Sequence, residues 1–271
     1  MGHTQELITH EKQLALSIAL ILAQNETLKQ GYQTSNRSLL FQTLQSEIAH
    51  LEKYLGIETI EVQLHTKEGK ALVRSWDFES YGDSLLNFRK GIALLHEQKT
   101  PLVSIELGKR LNIKALCPIF NNHEFLGSLE IILSFDEIAQ KLNSKKINFV
   151  VLMDKKFLEI GEWMKEQKQI GEYVVVSNSC PTGCINALSS ILESQSALHE
   201  GFARFNGALF GFTPLFDIEA KQVGYIGIWF GESLLQESLL LRASLIPKTH
   251  TLPVKTLEPT LQSVEREVMI R

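Results

Sequence analysis

The chain has 271 residues, 44% hydrophobic and 21% charged, with 27 basic residues against 31 acidic ones. This composition builds a substantial globular core and excludes whole-chain disorder, collagen and coiled coil. A net charge of −4 argues against a dedicated nucleic-acid binder, which needs a clustered basic surface. The most apolar early stretch, Leu14 to Ala23, is flanked by Glu11, Lys12, Gln24 and Asn25 and falls short of the roughly 20 residues that cross a bilayer. The sequence therefore predicts no membrane span and no secretory leader.

Taken in order, the chain opens with two predicted helices. Leu7, Ile8, Leu14, Ala15, Ile18 and Leu22 recur at three- and four-residue intervals between Gln5 and about Lys29, a length of about 37 Å if continuous. Such a helix projects beyond one lobe or lies along two. Gly31 is the expected break, and Ser35-Asn36 offers a cap before a second helix through Leu39, Leu44, Ile48 and Leu55. After Gly56 the period becomes alternating: Ile60, Val62 and Leu64 form one strand, Lys67-Glu68-Gly69-Lys70 a turn, and Leu72 to Trp76 a second strand. A helix is predicted from about Ser84 to Gln98, then strands near Val103–Leu107, Ile113–Phe120 and Phe125–Phe135, with a short helix from Asp136 to Leu142.

A weak internal repeat follows. Pro118-Ile119-Phe120, a polar turn and Phe125-Leu126-Gly127-Ser128-Leu129 find a counterpart in Pro214-Leu215-Phe216, a polar turn and Tyr225-Ile226-Gly227-Ile228-Trp229, with a further helix expected over 232–241. Two unrelated hairpins would give the same spacing. The repeat suggests two lobes, the second and smaller one starting at the Phe149–Met153 strand. Pro247, Pro253 and Pro259 prevent a continuous helix in the last stretch. The division is thus a helical stalk over 1–55, a lobe over 56–148, a smaller lobe over 149–246 and a tail over 247–271.

Motifs for catalysis are missing: there is no nucleophile elbow, phosphate loop, zinc-protease helix or dinucleotide fingerprint. The sequence implies no enzyme, no cofactor and no metal. Cys180 and Cys184 in Cys-Pro-Thr-Gly-Cys can form a disulfide, remain two thiols, or serve redox or metal chemistry; spacing alone leaves these open. The first lobe concentrates less ordinary residues. Alternation places Leu72, Arg74 and Trp76 on one face and Ala71, Val73 and Ser75 on the other. In the next helix Leu85, Phe88, Ile92 and Leu95 form the inward stripe with Arg89 at its edge. Glu106, Lys109-Arg110 and Lys114 lie further on. Convergent cations can capture a small anion, since a guanidinium holds a carboxylate by two parallel hydrogen bonds and an indole covers its apolar part. The plainer alternatives are that Arg74 pairs with Asp77 or Asp83, Arg89 is solvated, Trp76 fills the core and the lysines blunt a sheet edge.

Several of these segments resemble a known family. His65-Thr66-Lys67-Glu68-Gly69, Arg74-Ser75-Trp76, Tyr81-Gly82-Asp83-Ser84-Leu85, Phe88-Arg89, Glu106-Leu107-Gly108, Pro118-Ile119-Phe120 and Gly127-Ser128-Leu129-Glu130 are similar to the membrane-distal lobe of double Cache sensory domains over roughly residues 5 to 155. The resemblance implies an α+β fold, with a long N-terminal helix followed by two PAS-like lobes, each a mixed antiparallel sheet with flanking helices. It implies an extracytoplasmic, periplasmic sensor of a bacterial histidine kinase or chemoreceptor, joined to membrane and cytoplasmic signalling segments. A small carboxylate or amino-acid-like ligand would bind in the distal lobe, and the isolated domain would form a weak homodimer. By the same similarity Arg74, Trp76, Asp83, Phe88, Arg89 and Glu106 are pocket candidates. Where relatives carry an arginine before the Pro-Ile/Val-Phe turn, this chain has Asn112-Ile113-Lys114-Ala115-Leu116-Cys117, so Lys114 keeps the charge and loses the bidentate geometry. Met1-Gly2-His3 resembles an expression start, which fits an excised domain. The competing expectation is a Cache-like scaffold that reads a partner protein without a small ligand.

Overall fold

The computed structural model describes residues 2–177, 182–193 and 196–231. The Cys180–Cys184 pairing, the helix expected over 232–241 and the proline-punctuated tail lie outside the described residues. The chain is an α+β protein, as expected. Three helices open it: α1 (Gly2–Ala23), α2 (Glu26–Gln33) and α3 (Arg37–Leu55). The predicted break at Gly31 is corrected to Gln24-Asn25. There the Asn25 side chain accepts from the Leu28 amide at 3.1 Å and caps α2. Gly31 lies inside α2 as a packing residue; a Cβ there would sit 2.6 Å from Leu40 Cδ2, so glycine lets α2 and α3 touch. Asn36 caps α3 in the same way, and left-handed Gly56 ends it.

The first sheet contains β1 (Glu61–Thr66), β2 (Ala71–Arg74), β3 (Leu102–Leu107), β4 (Leu111–Asn121) and β5 (Glu124–Leu133), with α4 (Lys90–Gln98) between β2 and β3. Its spatial order is β2-β1-β5-β4-β3, antiparallel throughout. One face carries Val62, Leu64, Ile113, Ala115, Leu129 and Ile131 against Ala15, Ile18, Ala19, Leu22, Leu40 and Leu44 of the three helices. Helix α1 lies along β4 and β5, so the segment expected as a stalk is a packed layer over this sheet. Tyr32 pins α2 to the sheet, its hydroxyl donating to the carbonyls of His65 and Ser128 at 3.1 and 3.0 Å.

Two expectations in this lobe are corrected. A bulge between Leu64 and His65 pairs His65 with Ala71 and Gln63 with Arg74. The extra residue turns Leu72 to the helical side with Val73, so Arg74 shares its face with Ala71 and not with Leu72. Strand β2 ends at Arg74, which leaves Trp76 in the following turn. The helix predicted from Ser84 begins only at Lys90. The backbone of 82–85 is already engaged with the edge of the hairpin: Gly82 donates to Ala71, Ala71 to Asp83 and Leu85 to Gly69. Those bonds preclude a helical ladder.

The chain continues through α5 (Asp136–Asn143), β6 (Asn148–Asp154), 3-10 turns at Lys155–Phe157 and Glu162–Met164, β7 (Gln169–Ile170) and β8 (Tyr173–Val175). It then forms α6 (Thr182–Leu192), α7 (Ser196–Glu200), β9 (Phe202–Phe205), β10 (Ala208–Phe216) and β11 (Gln222–Phe230). The second sheet runs β7-β8-β6-β11-β10-β9. Strand β6 is buried on both faces: Phe149, Val151 and Met153 join the first lobe's core, while Val150 and Leu152 pack with Leu188, Ile191 and Phe210.

The two sheets share one plan, and the internal repeat is visible with a corrected offset. Ile119 pairs with Gly127 and Phe120 with Phe125, as Leu215 pairs with Gly224 and Phe216 with Gln222. Gly224, not Gly227, is therefore the counterpart of Gly127. A Cβ at Gly127 would lie 2.2 Å from the His65 carbonyl oxygen, and one at Gly224 would lie 1.8 Å from that of Leu152. Both positions need glycine because a neighbouring strand passes too close for a side chain.

Candidate ligand cleft

The face of the first sheet opposite α1, α2 and α3 is polar where a sheet interior is ordinarily apolar. Gln63, His65, Arg74, Glu106, Lys114 and Glu130 are all buried there, with Ser104, Asn112 and Ser128 beside them. The register explains the grouping: Gln63 opposes Arg74 and Glu130, while Lys114 opposes Ser104 and Ile132. Leu85, Ile92, Leu95 and Leu116 form a small apolar cluster under α4. Where α4 begins, at Arg89, the face opens into a cleft of about 100 Å3.

Six of the seven residues chosen from the sequence line this cleft: Arg74, Trp76, Asp83, Phe88, Arg89 and Lys114. The seventh, Glu106, sits behind Arg89. Phe88 is half-exposed at the rim and not on an inward helical stripe. Trp163, from the 3-10 turn after β6, closes one side against Lys109 and Arg110, and its amide donates to the Lys109 carbonyl at 3.1 Å.

Most of the cations already have partners. Arg74 donates from Nη1 to the Ser80 carbonyl and Oγ at 2.8 and 2.7 Å, and from Nη2 to Asp83 Oδ2 at 2.7 Å. This hydrogen bond, together with the guanidinium charge, holds the Asp83 carboxyl below its usual range. Arg110 pairs with Glu61. Arg89 is bound between Glu130 and Glu106, and Glu106 Oε1 also accepts from the Gly91 amide at 3.1 Å. Burial works against the Arg89 charge, but the two carboxylates outweigh it and raise its pKa. The second oxygens of Glu106 and Glu130, Ser104 Oγ and Gln63 Nε2 are buried without a hydrogen-bond partner.

Lys114 differs. It is 3% exposed, borders the cleft, and among the described residues it forms no ion pair or hydrogen bond. Burial, then the neighbouring Arg89 charge, lowers its pKa to about 8.

The turn from Ser75 to Asp83 forms the cleft's lip and is tied on both sides. From the helical layer, Arg37 donates to the Leu72 carbonyl at 2.9 Å and to that of Phe78, and stacks over Tyr81 at 3.4 Å. Gln45 of α3 donates to the Ser75 carbonyl at 2.5 Å. From the cleft, Arg74 holds Ser80 and Asp83. Arg74→Ala is expected to cost roughly 1.5–3 kcal/mol, the worth of charge-assisted bonds, and to expose this turn to limited proteolysis; an uncut, equally stable variant would refute the tether.

Beneath the cleft a buried histidine extends the polar face. His65 Nδ1 lies 2.9 Å from Ser128 Oγ, which lies 3.4 Å from His96 Nε2, and His65 Nε2 has no partner. Burial first, and then the charge of Arg89, holds the His65 pKa well below 6.5. The unfolded chain therefore takes up this proton before the folded one does. Stability is complete above about pH 6.5 and falls as the pH drops toward the folded value. His96, lowered by burial and Lys99, acts in the same direction. Urea unfolding at a series of pH values should show this acid loss, smaller in His65→Asn, which keeps a polar group toward Ser128.

Sequence reasoning missed Gln63, Glu130, Asn112, Ser80 and Trp163. The signal for two of them was present. Gln63 and His65 alternate with Val62 and Leu64 in β1, and Ser128 and Glu130 alternate with Leu129 and Ile131 in β5; a charge at an inward position of such a strand marks a polar interior face.

Comparison with known proteins places this geometry. A family model described as the double sensory domain of two-component sensor kinases matches residues 2–160. The chain belongs to this double Cache family. The match includes the cleft residues from Glu61 to Ile132, runs through β6 and stops just before Trp163. The matched part is thus a sensory domain of the kind found in two-component sensor kinases. Among solved structures, the extracellular domain of vpHK1S-Z8, assigned as a histidine kinase, is similar at 13% identity and a TM-score of 0.51, over 88% of this chain and 91% of that one. A domain of a protein from Vibrio parahaemolyticus assigned to the sensory box/GGDEF family is similar at 14% identity and 0.50, over 87% and 94%. The sensor domain of the V. cholerae histidine kinase DctB is similar at 12% identity and 0.49, over 85% and 93%. Identities this low speak to the fold. No curated protein sequence matches the chain. Among the described residues no helix is long and apolar enough to cross a membrane.

Proposed function

We propose that this double Cache domain is the extracytoplasmic, periplasmic part of a bacterial membrane receptor and binds a small anionic metabolite, a carboxylate or amino-acid-like compound, in the first-lobe cleft. The observation that carries this reading is Lys114, a buried cation facing the cleft with no carboxylate of its own. A charge withdrawn from water is costly unless paired, and an incoming anion supplies the pair. Trp76 and Phe88 offer apolar surface to the rest of the ligand, and Asn112 adds a hydrogen-bonding side chain.

Arg37 and Gln45 join the cleft's lip to the helical layer. A ligand that binds better to one arrangement of the lip shifts the populations of both layers, by no more than its difference in affinity for the two. Transmission through α1 to linked membrane and cytoplasmic segments follows from that coupling. Apolar Leu20 and Ile21 on α1 and Tyr54 and Leu55 on α3 are exposed and suit a weak homodimer.

A second reading has specific support. Arg74 is consumed by Asp83 and Ser80, and Arg89 by Glu106 and Glu130, which favours a scaffold with a self-satisfied cleft that reads a partner protein. A thermal-shift panel of small carboxylates, amino acids, amines and purines separates the two. A ligand at a hundred times its dissociation constant adds about 2.7 kcal/mol, which moves the midpoint of a chain this size by several degrees. Anions that stabilise the wild type and not Lys114→Met support the sensor; a panel with no stabilising member overturns it.

A further inference from the structure

Lys114 projects from the middle of β4 into a space shaped for a crowded cation. A Cβ at Gly108 would lie 2.6 Å from Lys114 Nζ and 3.5 Å from Nε and Nη1 of Arg89. The missing side chain at Gly108 therefore leaves two positive groups side by side at the cleft's inner end. The charged groups around Lys114 come from every neighbouring element: Arg89 at the start of α4, Glu106 on β3, Glu130 on β5 and Arg110 in the β3–β4 turn, with Arg74 and His65 on the far strands. Both carboxylates are committed to Arg89 and neither lies within ion-pair distance of Lys114. Without a ligand, the ammonium is thus held out of water beside a like charge, with Glu106 and Glu130 attracting it only from beyond ion-pair distance.

Resting on the reading above, we propose that anion capture in this cleft is proton-coupled through Lys114: the site takes its anion while this lysine is protonated and releases it as the lysine loses its proton. Near neutral pH the empty site is charged and ready. In mildly alkaline medium the lysine of the empty site is neutral, and binding must draw a proton from solvent. A bound anion favours the ammonium, so the ligand-loaded lysine holds its proton to higher pH. Between the empty and loaded midpoints affinity falls about tenfold per pH unit, one proton being taken up with each anion. Arg74, Arg89 and Arg110 stay charged throughout, so Lys114 alone among the cleft's buried cations gives this dependence.

The test is calorimetric titration with acetate, L-lactate, succinate and L-alanine as probes, in two buffers of different ionisation enthalpy, at about pH 6.5 and about pH 9. The expected result is close to one proton taken up per anion at the higher pH and close to none at the lower. Lys114→Arg should bind with pH-independent affinity, and Lys114→Met should not bind at either pH. Titration of the ligand-free protein, reductively methylated with 13C and assigned by the resonance missing in Lys114→Met, reads the lysine without a ligand. A Lys114 signal titrating with the surface lysines overturns the proposal whatever binds. An anion bound equally well at both pH values overturns the coupling and leaves the sensor reading standing. No binding of any probe at either pH, with Lys114 titrating early, overturns the sensor reading and the coupling with it.

Discussion

Arg89→Ala should destabilise the protein by about 3–5 kcal/mol, the loss incurred when a buried ion pair is left with one partner. Here two carboxylates are stranded. Glu106 and Glu130 are both buried, each already has one oxygen without a hydrogen bond, and Arg89 is their shared cation. Urea unfolding of the purified variant gives the loss as a lower midpoint. Because Arg89→Ala can fail to fold, the decisive variant is the triple Arg89→Met, Glu106→Gln, Glu130→Gln, which removes all three charges. It should recover most of the lost stability, since replacing a buried ion cluster by neutral groups is often close to neutral. A triple variant as unstable as the single one would mean that the cost is lost packing and not charge.

The second large effect has the opposite sign. Folding lowers the Lys114 pKa from 10.5 to about 8, and each tenfold loss of proton affinity corresponds to about 1.4 kcal/mol. The unfolded chain holds this proton more tightly than the folded one. The penalty is complete below about pH 8 and disappears as the pH rises past 10.5. Lys114→Met should therefore stabilise the ligand-free domain by about 3 kcal/mol at neutral pH, reading out as a higher urea midpoint, while abolishing anion binding. Wild type and variant should converge in stability as the solution becomes alkaline. A variant no more stable than the wild type at neutral pH would show that Glu106 and Glu130 already balance the charge. Such an exchange of stability for a ready binding site is common where function needs an unsatisfied group.

Much of the fold was legible because its signals are local. The change from three- and four-residue spacing to alternation at Gly56, the Lys67–Lys70 turn and the three long strands after Pro101 follow from side-chain period alone. What was hidden depends on contacts distant in sequence. The bulge at Leu72 reverses the facing of one residue in β2, and no composition rule announces it. Residues 84–89 carry a helical pattern, yet the backbone of 82–85 is bonded to the Gly69–Ala71 edge. Gly31 reads as a breaker because its packing role exists only once Leu40 lies against it.

The site divides in the same way. Arg74, Arg89 and Lys114 were legible as cations at sheet and helix edges, and the fold brings all three to one cleft. The Arg74–Asp83 pair was one of the sequence alternatives and is the one formed; that Arg89 is spent on two glutamates was not legible, because partners 17 and 41 residues away in the chain are chosen by strand register. Trp163 contributes from another sheet's connection and carries no mark in its own neighbourhood.

Strand β6 is covered on both sides, by the first lobe's core on one and by α6 and α7 on the other. Phe149, Val151 and Met153 therefore belong energetically to the half of the chain that precedes them. Cutting the protein at the apparent boundary before residue 148 would leave two fragments, each with a raw apolar wall and neither with a complete interior. The two sheets should consequently melt in one calorimetric transition, and loosening of the second is expected to reach the cleft through the strand they share.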